Sequence, residues 1–188
     1  MRSTEACTAS ESRSIEEILY RIASDLSLLA DHDIVIKTIE GERLDRRPVG
    51  AGGVHISFKM TIRHTGGEAQ GCMLLPLAES ITLAKYLMMA DDDEVEQQRS
   101  QQTLDRGAKD AMLELAKFVA SAVGSALNEL PSVEFEVVSE GCQGVRAGVR
   151  PALRYSEGDT MIVGRFQASI AEFPDFEALL ILPELPLS

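Results

Sequence analysis

Residues 54–75 read VHISFKMTIRHTGGEAQGCMLL. Val54, Ile56, Phe58, Met60 and Ile62 alternate with His55, Ser57, Lys59 and Thr61, the period-two pattern of a strand with one face against a core. Thr65-Gly66-Gly67 supplies a hairpin turn, and Ala69 to Leu75 returns as the partner strand. Strands joined so tightly run antiparallel, because a parallel pair needs a long crossover.

Working back from this hairpin, Gly41 to Gly53 is turn-rich, and the β-branched stretch Ile34 to Ile39 reads as a strand. Before it, Ser14 and Glu17 form a capping box that starts a helix ending near Asp31. Ile15, Ile18, Leu19, Ile22, Leu26 and Leu29 follow at spacings of three and four, an apolar stripe for the core. Residues 1–13 are rich in Ser, Thr and Glu and carry no apolar h-region, so they read as a flexible lead and not as a signal peptide.

Working forward, Pro76 closes the hairpin. Ala78 to Met89 reads as a helix with Ile81, Ala84, Leu87 and Met88 facing inward. Asp91-Asp92-Asp93-Glu94 reads as a solvated acidic loop, since it lacks the alternate ligands and central glycine of a calcium loop. A long helix is expected from about Thr103 to Leu130, with Leu104, Ala108, Met112, Leu115, Val119, Val123, Ala126 and Leu130 along one side. Its small second half, with Gly124 inside the helix, predicts close approach of another backbone.

After Pro131, strands are expected at Val133–Val138, Val145–Tyr155, Thr160–Ile170 and Glu177–Leu182, with Gly158-Asp159 as a turn. Pro183 and Pro186 predict that the last strand ends at a sheet edge. Strands and helices do not alternate strictly. The fold class is therefore α+β, a mainly antiparallel sheet with helices packed on one face, in a single domain spanning 14–188.

The formal net charge is −12, from 30 acidic and 18 basic residues. The longest basic run is Arg46-Arg47, which argues against nucleic acid and against an anionic membrane surface. Cys7, Cys72 and Cys142 form no CxxC, and His32, His55 and His64 fall at no metal-ligand spacing on a helix, so no metal site is indicated. The apolar run Ala178 to Leu182 is far too short to span a membrane. A cytoplasmic protein is expected. Glycine-rich phosphate loops, nucleophile elbows and H-E-x-x-H motifs do not occur.

One constellation carries chemistry. Asp110, Glu114, Lys117 and Ser121 recur at spacings of four and three, on the side of the long helix away from its apolar stripe. Any surface helix has a charged face, and Glu114 with Lys117 taken alone is an ordinary i,i+3 pair.

The segment Asp110-Ala-Met-Leu-Glu114-Leu-Ala-Lys117 resembles the helix of the CheC/CheX/FliY chemotaxis phosphatase family. That signature is Asp or Ser, three residues, Glu, two residues, Asn. The match is carried by Asp110 and Glu114, with Lys117 where the family has Asn. The resemblance extends over roughly residues 14–183, through Gly71-Cys-Met-Leu-Leu-Pro-Leu-Ala and Leu83-Ala-Lys-Tyr-Leu-Met-Met before the helix and Glu114-Leu-Ala-Lys-Phe-Val-Ala-Ser-Ala within it. A single leading helix with no second E-x-x-N places it nearer CheX than CheC.

The resemblance implies that this helix docks on a phosphorylated response-regulator receiver, with Glu114 as the docking carboxylate and Asp110 and Ser121 flanking it. In the family the Asn orients a water for in-line attack on the phosphoryl group. The chain would need no cofactor of its own, because the receiver supplies the Mg²⁺. Catalysis of this kind is positioning more than covalent chemistry.

Lys117 changes the expectation. An amide oxygen accepts a hydrogen bond from water, whereas a protonated lysine has three donors and no acceptor. The family also places a proline about 22 residues beyond the Asn, and the equivalent stretch Val138-Ser139-Glu140-Gly141 contains none. Three readings follow: a receiver-binding module with impaired phosphatase activity, an active aspartyl-phosphate phosphatase using Glu114 and Lys117, or a structural subunit akin to the FliM/FliN/FliY switch proteins. A CheX-like protein is expected to stop at a homodimer; a switch-like one forms large assemblies.

Overall fold

A computed structural model describes residues 4–130, 133–156 and 158–186. Residues 1–3 of the expected lead, Pro131 and the last two residues of the expected domain lie outside these. In chain order the elements are β1 (Thr4–Ala6), α1 (Ala9–Ala30), β2 (Ile34–Leu44), β3 (His55–His64), β4 (Gly67–Pro76), α2 (Leu77–Leu87), α3 (Asp92–Gln98), α4 (Arg106–Asn128), β5 (Glu136–Val145), β6 (Met161–Ile170) and β7 (Phe176–Pro183). The strands form one seven-stranded sheet in the order β1-β2-β6-β7-β4-β3-β5, with every pairing antiparallel. Helices α1, α2 and α4 pack on one face, so the architecture is α+β as the sequence predicts.

The hairpin expected over residues 54–75 is β3–β4, with Phe58 opposite Met73 and Ile62 opposite Ala69. Ile56, Phe58, Met60 and Ile62 all enter the main core. At Gly71 an added Cβ would lie 2.7 Å from the carbonyl oxygen of Ile181. Only glycine lets β7 come this close.

The N-terminal expectation is corrected. Residues 4–13 are no loose lead, because β1 pairs with the end of β2, Glu5 opposite Arg43, and α1 begins at Ala9. Thr8 caps α1 in place of Ser14. The Glu11 N–H donates to Thr8 Oγ1 at 3.2 Å, and the Thr8 N–H donates to Glu11 Oε2 at 2.9 Å. Ser14 sits inside the helix and donates to the Ser10 carbonyl. Both T-x-x-E and S-x-x-E are capping boxes; the first prevails because Glu11 also pairs with Arg43 of β2, a partner that only the fold brings near.

Around α2 the structure again differs from the sequence reading. Strand β2 continues to Leu44 opposite Met161, through part of the stretch expected to be turns. The acidic run Asp91–Glu94 is a helix start and not a loop: Asp91 caps α3, accepting from the Glu94 N–H at 2.9 Å. Asp92, Asp93 and Glu94 fill the first turn, where the helix dipole favours negative charge. Met88, expected to face inward, is exposed just beyond the end of α2.

The C-terminal strands are rearranged as well. The expected strand Val145–Tyr155 does not form. Strand β5 runs from Glu136 to Val145, with a register shift opposite Phe58/Met60 and Gly141 at φ 84°. Residues after Val145 form a loop across the sheet's second face, where Leu153 joins Cys72, Leu74, Val163, Leu179 and Ile181 in a smaller buried cluster. Strand β7 is interior and not at an edge. Its Pro183 pairs only with β6, beyond the point where pairing with β4 ends at Ile181, so the missing N–H has nothing to satisfy.

Helix α4 spans Arg106–Asn128, a little shorter than expected, and lies over β5 and β3 beside α1 and α2. Met112, Leu115, Val119, Val123 and Leu127 are buried along its inner side. At Gly124 an added Cβ would meet Val137 Cβ of β5 at 3.3 Å. The close approach is thus to a side chain of the edge strand and not, as expected, to another backbone. Its N-cap is Asp105, which accepts from the Ala108 N–H at 2.7 Å and from Lys85 Nζ of α2 at 3.3 Å. These bonds hold the Asp105 carboxyl below its ordinary pKa, the Ala108 N–H contributing most.

Candidate functional site: the outer ridge of α4

The inner side of α4 is sealed by the sheet and α1, and that sealing fixes which residues face water. Asp110, Glu114, Lys117 and Ser121 are all exposed. The Glu114 side chain retains 55% of its accessible surface and that of Lys117 64%, so the carboxylate is open to a partner. Lys117 Nζ donates to Glu114 Oε1 at 2.6 Å. A pair this exposed contributes roughly 0.2–0.5 kcal/mol to the helix, too little to lock either side chain. The ridge can exchange this internal contact for one with another molecule.

The ridge is not purely polar. Leu113 lies beside it, 45% exposed, and a Cβ built on Gly141 of β5 would touch its Cδ2 at 3.4 Å. On the opposite flank Met88 rests against Gly107, where a Cβ would come within 2.9 Å of Met88 Cε. Met89 follows and is the most exposed large apolar residue described, at 92%. Arg106 and Lys109 are exposed on the first turns of α4 and make no ion pair among the described residues. Sequence reasoning missed these five. A helix pattern run on to Met89 turns Met88 inward, and a lone leucine within a charged face gives no periodic signal.

The rest of the chemistry is structural. Glu140 of β5 accepts from Thr61 and from Gln70, which hold its carboxyl below the ordinary value, Thr61 most strongly. Burial pushes the Cys72 thiol up to about 12, which makes it unreactive. Among the described residues no group of three or more His, Cys, Asp and Glu side chains is placed to hold a metal ion. No described helix is long and apolar enough to cross a membrane.

Neither a protein-family profile nor a curated protein matches the sequence. Solved structures do match. FliY of Thermotoga maritima superposes with a TM-score of 0.63 at 16% identity, covering 95% of this chain and 92% of that one. A CheC-like superfamily protein from Shewanella gives 0.62 at 11%, over 95% and 100% of the two chains. The chemotaxis protein CheX from Desulfovibrio desulfuricans gives 0.59 at 12%, over 92% and 99%. The chain has the CheC/CheX/FliY fold. At such identities the likeness is one of fold, and it spans nearly the whole chain, as the resemblance read from Asp110 and Glu114 implies. Within this CheX-like fold the signature segment occupies the exposed side of α4, and Lys117 takes up the Glu114 oxygen beside it.

Proposed function

We propose that this CheX-like domain docks through α4 on a phosphorylated response-regulator receiver in the cytoplasm, and that it binds the phosphorylated state while hydrolysing it poorly. The observation that carries the reading is the exposed Glu114–Lys117 pair at 2.6 Å. Glu114 can accept from a cationic group on the partner. Lys117 keeps two further N–H donors for phosphoryl oxygens, yet it has no acceptor with which to orient an attacking water. Affinity for the anion rises while the nucleophile goes unplaced. Any Mg²⁺ at the phosphoryl group belongs to the receiver.

The test uses purified receivers from the same genome, each with Mg²⁺, either unmodified or charged with acetyl phosphate. The expected result is binding at least about tenfold tighter to the charged form, with no acceleration of phosphate release. Lys117→Asn is then expected to create or raise release. Rapid hydrolysis by the wild type, abolished in Glu114→Ala, would make the chain an active phosphatase instead. Absence of binding to any receiver in either state removes the proposal. A switch-type structural subunit is the second reading, supported by the likeness to FliY. It requires large assemblies at micromolar concentration, which light scattering detects.

A further inference from the structure

We infer that Met89, with Leu113 on the other flank of α4, is the apolar anchor of this receiver contact, an inference that rests on the docking reading above. Met89 adopts φ 62° in the left-handed region while standing 92% exposed. Helices commonly end on a residue in that conformation, and it is usually glycine, which carries no Cβ penalty there. The turn itself is firmly held. The Met89 N–H donates to the Tyr86 carbonyl at 2.9 Å and the Ala90 N–H to the Lys85 carbonyl at 3.0 Å. Lys85 and Tyr86 are themselves buried and tied to Asp105 and Asp92. A rigid turn therefore holds a large flexible thioether out in water, at a place where glycine would suit the backbone better. Folding does not account for that side chain; a partner surface does.

The position indicates which partner. Met88 packs on Gly107 of α4, and Asp110 and Glu114 follow Gly107 on the same side of the helix at i+3 and i+7. Met88 thus borders the carboxylate row on one flank with Met89 next to it in the chain, and Leu113 borders it on the other. Arg106, Lys109 and Lys117 add a cationic rim on a chain of net charge −12. Arg106 and Lys109 stand at the helix end where the dipole disfavours positive charge, so helix stability does not explain them. An apolar anchor beside Arg106 and Lys109, which have no ion pair among the described residues, fits a protein that presents an anionic centre with an apolar border, and a phosphoryl-bearing receiver is such a partner.

Met89→Gly tests the inference, because glycine suits the observed backbone. The variant is expected to melt at or above the wild-type temperature. It is also expected to bind a beryllofluoride-loaded receiver about tenfold more weakly or worse. Leu28→Ser, which removes another highly exposed apolar residue, from α1, is expected to leave binding unchanged. If Met89→Gly binds like the wild type while Glu114→Gln binds weakly, the anchor is wrong and the docking reading stands. If the wild type binds no loaded receiver, both fall. A Met89→Gly protein that melts well below the wild type would show that Met89 serves its own fold, and that too overturns the inference.

Discussion

Helices α2 and α4 lie side by side on the same face of the sheet, and their polar residues have opposite fates. In α2, Glu79, Ser80, Thr82 and Lys85 are buried and each is bonded within the chain. Glu79 accepts from Arg99 at 2.7 Å, Ser80 and Thr82 donate to carbonyls one turn back, and Lys85 reaches Asp105. Arg99 also stacks over Phe173, its guanidinium carbon 4.2 Å from the ring centroid. In α4, Glu114 and Lys117 face water and, among the described residues, pair only with each other. A buried polar group must find its partners inside the fold, whereas an exposed one keeps its capacity for another molecule. The polar groups of the first helix therefore hold the structure, and those of the second stay open to solvent.

The contrast can be broken in three places. The largest effect is expected for Glu79→Ala, which leaves the partly buried Arg99 without its carboxylate. The loss of stability is about 3 kcal/mol, read from urea denaturation, and a loss under about 1 kcal/mol would mean that α2 is no more dependent on its polar contacts than α4.

A smaller loss is expected on acidification. His55, at the foot of α2, is buried with Nδ1 3.0 Å from the Gly53 carbonyl and Nε2 unpartnered. Burial holds its pKa below the ordinary 6.5. The unfolded chain therefore takes up the proton first, and stability declines as pH falls below about 6.5 towards the lower folded value. The denaturation midpoint measured at about pH 7.5 and 5.5 should drop. His55→Asn, which keeps a donor for Gly53, should flatten that part of the dependence.

The smallest effect on stability is expected for Glu114→Ala, within about 0.5 kcal/mol, since the pair it removes is exposed. A loss several times larger would place Glu114 among the groups that hold the fold, and the comparison with α2 would disappear.

Much of this was legible without coordinates. The alternation over 54–62 and the glycine turn specify the β3–β4 hairpin, because period two is the strand's own geometry; that His55, Ser57 and Thr61 on its other face are buried as well was decided by the fold. The stripe Ala108–Met112–Leu115–Val119–Val123 defines the inner side of α4, and the exposure of Asp110, Glu114, Lys117 and Ser121 follows from it as the complementary arc. The fold likeness was legible in the same segment and the element order around it.

Other features were decided by contacts distant in sequence. Thr8 displaced Ser14 as the cap because Arg43 reaches Glu11 across thirty-odd residues. Strand β5 displaced Val145–Tyr155 because Gly141 admits a bulge opposite Phe58/Met60 and Leu153 has a second buried cluster to enter. The polar residues of α2 look no different in sequence from those of α4; whether they are buried depends on α3 and Arg99 closing over them. Local periodicity determined which side of each long element meets the core, since that pattern is a property of the strand or helix itself. Only the tertiary structure decided which polar groups were consumed inside and which, like the carboxylate at 114 and the methionine at 89, remained outside, because burial is conferred by neighbours and not by the residue's own sequence.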